Sequence, residues 1–125
     1  MAGDGQDSEA YTCGRLYSTL HALRVIGTGS SDLKEHQHIK KVYSTPRDEL
    51  LRHLQQAGEH LHRAVARKED KRTAAATKLF QALPGALPPG GIPRGNFDNK
   101  ATADFLDGFR KQLSVFEEEF PALLD

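Results

Sequence analysis

Apolar side chains recur along this chain at intervals of three and four, the helical period, and nowhere keep up the strict alternation of a half-buried strand. Cys13, Leu16, Tyr17, Leu20 and Leu23 mark one such face and predict a first helix over residues 9–26. Residues 27–31, opening with Gly27 and Gly29, should end it, because glycine reaches the left-handed conformation that closes helices at little cost. Residues 32–44 are polar, basic and weakly periodic, and admit either a short helix over 33–41 or a mobile basic loop. The next helix has the clearest start. Thr45 offers a capping hydroxyl, Pro46 suits the first helical position, and Asp48 and Glu49 sit near the positive end of the helix dipole. Leu50, Leu51, Leu54, Ala57, Leu61, Ala64 and Val65 then carry an apolar face to about Ala66, with Arg52, Gln55, Gln56, Glu59, His62 and Arg63 opposite. Gly58, beside that face, offers another helix a close approach.

Residues 67–72 read as a charged turn or a charged bridge between helices. A third helix follows to Leu83, with Ala76, Leu79, Phe80 and Leu83 on one side. Residues 84–95 then hold four prolines and four glycines, which predicts a loop over 84–97. The last helix begins near Asp98 or Asn99 and carries Ala101, Phe105, Phe109, Leu113, Phe116 and Phe120 on one face, and Pro121 disfavours its continuation. The expected architecture is all-α: one domain over residues 9–125, a helical bundle of about four main helices, preceded by a disordered lead-in over 1–8.

Composition narrows the function classes. Cys13 is the only cysteine, so an intrachain disulfide or a cysteine-based metal site is excluded. No apolar run approaches the ~20 residues of a membrane span. The Gly- and Asp-rich opening does not resemble a signal peptide, so a cytoplasmic protein without membrane contact is expected.

Charge changes the picture more. The chain is formally neutral, yet residues 34–78 hold eleven of its seventeen Lys and Arg, six of its seventeen acids and five of its six His. Residues 1–33 hold two bases and four acids, and residues 79–125 four bases and seven acids. A basic middle can follow a polyanion whatever the net charge, because local potential steers the ligand. Between Glu49 and Glu69 the only acid is Glu59, against Arg52, Arg63, Arg67 and Lys68. The candidate phosphate contacts are Arg52, Arg63, Arg67, Lys68, Lys71 and Arg72, with Lys40, Lys41 and Arg24 as a second tier. Basic residues do not alternate with aromatic ones as in a base-stacking groove, so backbone tracking is expected. Tyr43, beside Lys40 and Lys41, is placed to stack on a base or to act as a partly buried anchor.

Catalysis and cofactors find little support. Cys13 lies on an apolar face and reads as a core thiol. His36 with His38, and His60 with His62, stand two apart and do not share a helix face, while His53 and His60 could flank one edge of the second helix. No glycine motif of the phosphate-cradling kind precedes a helix. A non-enzymatic protein with no cofactor is expected.

Three groups of residues carry a family likeness: Tyr11 with Gly14, Arg15 and Leu16; Thr45-Pro46 followed by His60-Leu61; and Phe105, Gly108, Phe109 and Gln112. In this order the chain resembles the C-terminal helical region of the large subunit of type I-C CRISPR interference complexes, a region also made separately from an internal start as the small subunit. The likeness covers most of residues 10–112. It departs from the family at residues 99–103, where an acidic-Gln-Gly run is usual, and at Arg110-Lys111, where an aromatic-His pair is usual. Shortness and a start at Met1 fit the small subunit. The resemblance implies a non-catalytic helical bundle that holds the displaced single DNA strand and braces the guide RNA–target duplex. The implied partners are the backbone and large subunits, a second copy of the chain, non-target single-stranded DNA and the guide RNA–DNA duplex. A protein–protein adaptor that never meets nucleic acid is the alternative.

Overall fold

A computed structural model describes residues 8–29, 32–93, 95–121 and 123–124, without the side chains of Asp32 and His36. Of the expected lead-in over 1–8, residues 1–7 lie outside the described residues, while Ser8 is described and belongs to the first helix cap. Among those described there are five α-helices and no strand: α1 (Glu9–Thr28), α2 (His36–Ser44), α3 (Pro46–Ala66), α4 (Asp70–Ala86) and α5 (Asn99–Glu119), with a 3-10 turn at Asp32–Lys34. The bundle thus has one helix more than expected, because the basic segment before Thr45 folds as α2. Ile39 and Val42, three apart, supply the buried side that α2 presents, and it packs on α3.

The architecture turns on α1. It packs most extensively on α5 and also on α3 and α4, and it is buried on nearly every side rather than along one stripe. Its sequence permits this because several of its polar positions are small hydroxyl residues, two of which bond their own helix: Thr19 donates to Arg15 O at 2.9 Å and Thr28 to Arg24 O at 2.8 Å. A helix without a solvated face belongs at the centre of a domain. Ser8 caps α1 by accepting from Tyr11 N at 3.0 Å, and the helix begins at Glu9 as expected.

Glycines decide how close the neighbours come. A Cβ on Gly14 would stand 2.0 Å from Phe105 O, and one on Gly108 would stand 2.2 Å from Tyr11 O. The α1–α5 crossing is therefore backbone against backbone at two reciprocal points. Arg15 Nε donates to Gln112 Oε1 across the same crossing at 3.0 Å. Gly27 does the same for α3, its added Cβ falling 2.3 Å from His60 O. The glycine of residues 27–31 that ends α1 in the left-handed conformation, as expected, is Gly29, at φ 82°, so the helix runs two residues past the predicted end. One expectation is corrected: Gly58 faces open space and admits no helix.

Around these crossings the core centres on Tyr17, whose ring meets Phe105 and Phe109 at 5.5 and 5.4 Å and whose hydroxyl donates to Leu33 O at 2.6 Å. Fully burying an aromatic of this kind contributes roughly 2–3 kcal/mol. Tyr43 is the half-buried anchor, edge-on to Phe105 at 5.9 Å.

α3 is rotated relative to the expected stripe. Its inner line is Pro46, Leu50, His53, Ala57, His60 and Ala64, while Leu51 and Val65 are 39% and 45% exposed. Thr45 gives no side-chain cap to α3; its hydroxyl turns back to Lys41 O at 3.2 Å. α4 runs past Leu83 to Ala86 with Pro84 inside it. Pro84 is exposed, as is Phe80, so the carbonyl four residues back that loses its donor lies on the solvent side. After α4, buried Pro88 and Ile92 and the Phe97 N–H bond to Tyr43 O, at 2.9 Å, pin the proline–glycine loop to the bundle. Asp98 caps α5 by accepting from Ala101 N at 2.7 Å. Asp98→Ala should cost about 1 kcal/mol, read as a lower urea midpoint; an unchanged midpoint would show that this end frays without cost.

Candidate nucleic-acid interface

Helical phasing gives α3 two unlike flanks beside its buried line. One carries Glu49, Arg52, Gln56, Glu59, Arg63 and, just past the helix, Arg67; the other carries Leu51, Leu54, Leu61 and Val65. The basic flank adjoins Arg24 of α1 and His38 of α2, both close enough to His53 to act on its imidazole together with Arg52 and Glu49. Arg24, Arg52, Arg63 and Arg67 thus share one side of the bundle. Lys40 and Lys41 are exposed on α2, the neighbouring helix.

The cations differ in what already holds them. Arg52 pairs with Glu49 at 2.6 Å and Arg63 with Glu59 at 2.9 Å, both within α3 and both exposed. Exposed pairs of this kind contribute at most about 1 kcal/mol and yield readily to a phosphate. Arg67, Lys68, Lys40, Lys41 and Lys71 make no ion pair among the described residues. Lys68 closes α3 at φ 58°, the left-handed conformation usual at this position of a helix end, with its N–H on Val65 O at 3.0 Å.

Arg72 stands apart from the expected set. Its side chain is 16% exposed, and its Nη1 donates to Ile26 O at 2.6 Å while Nε reaches Glu69 at 3.3 Å. It satisfies an orphan carbonyl at the negative end of α1, so its first role is to close the α1–α4 junction. Lys71, next to it in sequence, faces elsewhere: with Lys78 it lines a cleft formed by Ala74, Ala75, Glu119, Phe120, Pro121 and Leu123. The contiguous basic stretch in the sequence is therefore divided between two surfaces. The second escapes the sequence pattern because Lys78 and Glu119, which pair across it, lie 41 positions apart.

The remaining chemistry-bearing residues are internal. Cys13 is fully buried, and burial, aided by the Glu9 carboxylate, pushes its thiol up to about 12, far from a reactive thiolate. His53 and His60 belong to the buried line of α3 rather than to an exposed edge, while His62 is exposed. Among the described residues no group of three or more His, Cys, Asp or Glu is arranged to hold a metal. Nor is any described helix long and apolar enough to cross a membrane.

The fold and this surface define an all-helical bundle with one basic flank. No protein-family model matches the chain, and comparison with curated proteins and with solved structures finds no match either.

Proposed function

We propose that the chain is a non-catalytic helical subunit of an RNA-guided CRISPR interference complex of the type I-C kind, which holds the displaced single strand of DNA and braces the guide RNA–target duplex. The observation that carries this reading is where the motifs of the resemblance meet. Tyr11, Gly14 and Arg15 touch Phe105, Gly108, Phe109 and Gln112, and His60 lies against Gly27. Residues separated by most of the chain's length thus serve one purpose, the close crossing of α1 with α5 and α3. These contacts support reading the likeness as one of fold, and the basic flank of α3 offers exposed cations for phosphate contact.

On this reading the protein contributes phosphate contacts, and base pairing by the guide supplies sequence recognition. Arg63 and Arg67 are the principal contacts, with Arg52, Arg24, Lys40, Lys41 and Lys68 extending the track. Arg63→Gln with Arg67→Gln should weaken binding of an oligo-dT strand and reduce the slope of log K against log salt by roughly 1.4, about 0.7 for each lost phosphate contact. Fluorescence anisotropy from 50 to 200 mM salt reads both quantities. An unchanged slope in a folded double variant would remove α3 from the interface. Failure of the chain to co-purify with a guide-RNA complex would remove the assembly itself and leave the adaptor reading, for which Leu51 and Val65 provide exposed apolar surface.

A further inference from the structure

The cleft at the start of α4 combines features that the linear sequence keeps apart. Its volume is about 420 Å³, and Ala74 and Ala75, with their short side chains, help to form its lining opposite Phe120, Pro121 and Leu123. Phe120 is half-buried, tilted 31° against Phe116 at 6.3 Å, and its carbonyl accepts from Leu123 N at 3.0 Å in the turn that follows α5. The ring is thus held from behind while still lining the cleft. Two lysines and one acid border it, and the acid, Glu119, is already paired with Lys78. Lys71 is left exposed and without an ion pair among the described residues. A ligand suited to this cleft presents a flat apolar face beside a negative charge, as a nucleotide does.

We infer that this cleft is a subsite for one unstacked base of a single strand, with the base against Phe120 and the adjoining phosphate at Lys71. The inference rests on the nucleic-acid reading above and adds base stacking to backbone tracking. The aromatic ring favours a base over an acidic peptide, because every base offers a π-face and stacking on it is tolerant of sequence. It also gives Lys71 a role that its separation from the basic flank of α3 had left open.

The test compares the full chain's affinity for an oligo-dT strand with that for an abasic strand of equal length, by anisotropy. The parent should prefer oligo-dT by about five- to tenfold, the lower part of the range for stacking one base. Phe120→Leu should bring the two affinities within about twofold of each other while leaving abasic binding as it was, and Phe120→Tyr should restore the preference. Because Phe120 also touches Phe116, Ala74→Gln provides a second variant; it fills the cleft from an exposed helical position and should abolish the preference in a protein that melts like the parent. A parent without preference, or a Phe120→Leu protein that keeps it, overturns the subsite while salt-dependent abasic binding sustains the broader reading. Absence of binding to either strand overturns both.

Discussion

Gly14→Ala and Gly108→Ala should each lower the melting temperature by roughly 10 °C or more, the equivalent of ~3 kcal/mol in a domain of this size. In an exposed helix interior the same change would stabilise, since alanine is preferred to glycine by about 1 kcal/mol. Here the added methyl meets backbone, Phe105 O at 2.0 Å in one case and Tyr11 O at 2.2 Å in the other. Neither atom can swing away as a side-chain tip does, so relief requires α1 and α5 to separate along their whole contact. That separation also strains the Arg15–Gln112 bond and opens the Tyr17–Phe105–Phe109 cluster. Gly58→Ala is the internal control. It lies on α3 with nothing within 4 Å of its added Cβ, and should raise the melting temperature by roughly 2–5 °C. Thermal unfolding followed by circular dichroism decides the matter, and a Gly14→Ala protein melting with the parent would refute the close crossing.

This contrast explains how far the sequence could be read. The helix class, the Pro46 start of α3, the Asp98 start of α5 and the core role of its phenylalanines all follow from local chemistry: period, capping groups and prolines. What a glycine does for packing does not. Gly14, Gly27, Gly58 and Gly108 all sit in helices, and only the tertiary arrangement separates the three that meet a neighbour's backbone from the one that meets water. The centrality of α1 was hidden in a related way. Ser18, Thr19 and His21 count as polar in any hydropathy pattern, yet all three are buried. The rotation of α3 has the same origin. Leucines outrank histidines on any apolar scale, so the pattern puts Leu51 and Val65 inside and leaves His53 and His60 at an edge. The structure turns the first pair outward and the second inward because His53 packs edge-on to Tyr17 and the backbone of His60 lies against Gly27. For the candidate site, the exposure of Arg52 and Arg63 was legible from phasing alone. The diversion of Arg72 to Ile26 O and of Lys71 to the α4–α5 cleft depends on which helix ends meet.

Buried His53 makes the stability of the bundle depend on pH. The residue is 5% exposed, and Nδ1 has no hydrogen-bond partner among the described residues. Burial, then Arg52, Arg24 and His38, lower its pKa from 6.5 to about 4, and Glu49 offsets only part of this. Above pH 6.5 the imidazole is neutral in both folded and unfolded chains, and stability is at its full value. As pH falls below 6.5 the unfolded chain takes up a proton that the folded chain refuses, so stability declines until the folded chain also protonates near pH 4. The loss attributable to this one residue is about 3 kcal/mol over that interval. His53→Phe retains an aromatic ring against Tyr17 and removes the titration, so its urea midpoint should fall less steeply than the parent's between pH 6.5 and 4 and overtake it at the acid end. The neutral histidine also fits its place beneath the basic flank, where another positive charge would add to those of Arg24 and Arg52. Parallel pH profiles for parent and variant would show that His53 stays accessible to protons in the folded bundle and that the acid sensitivity arises elsewhere.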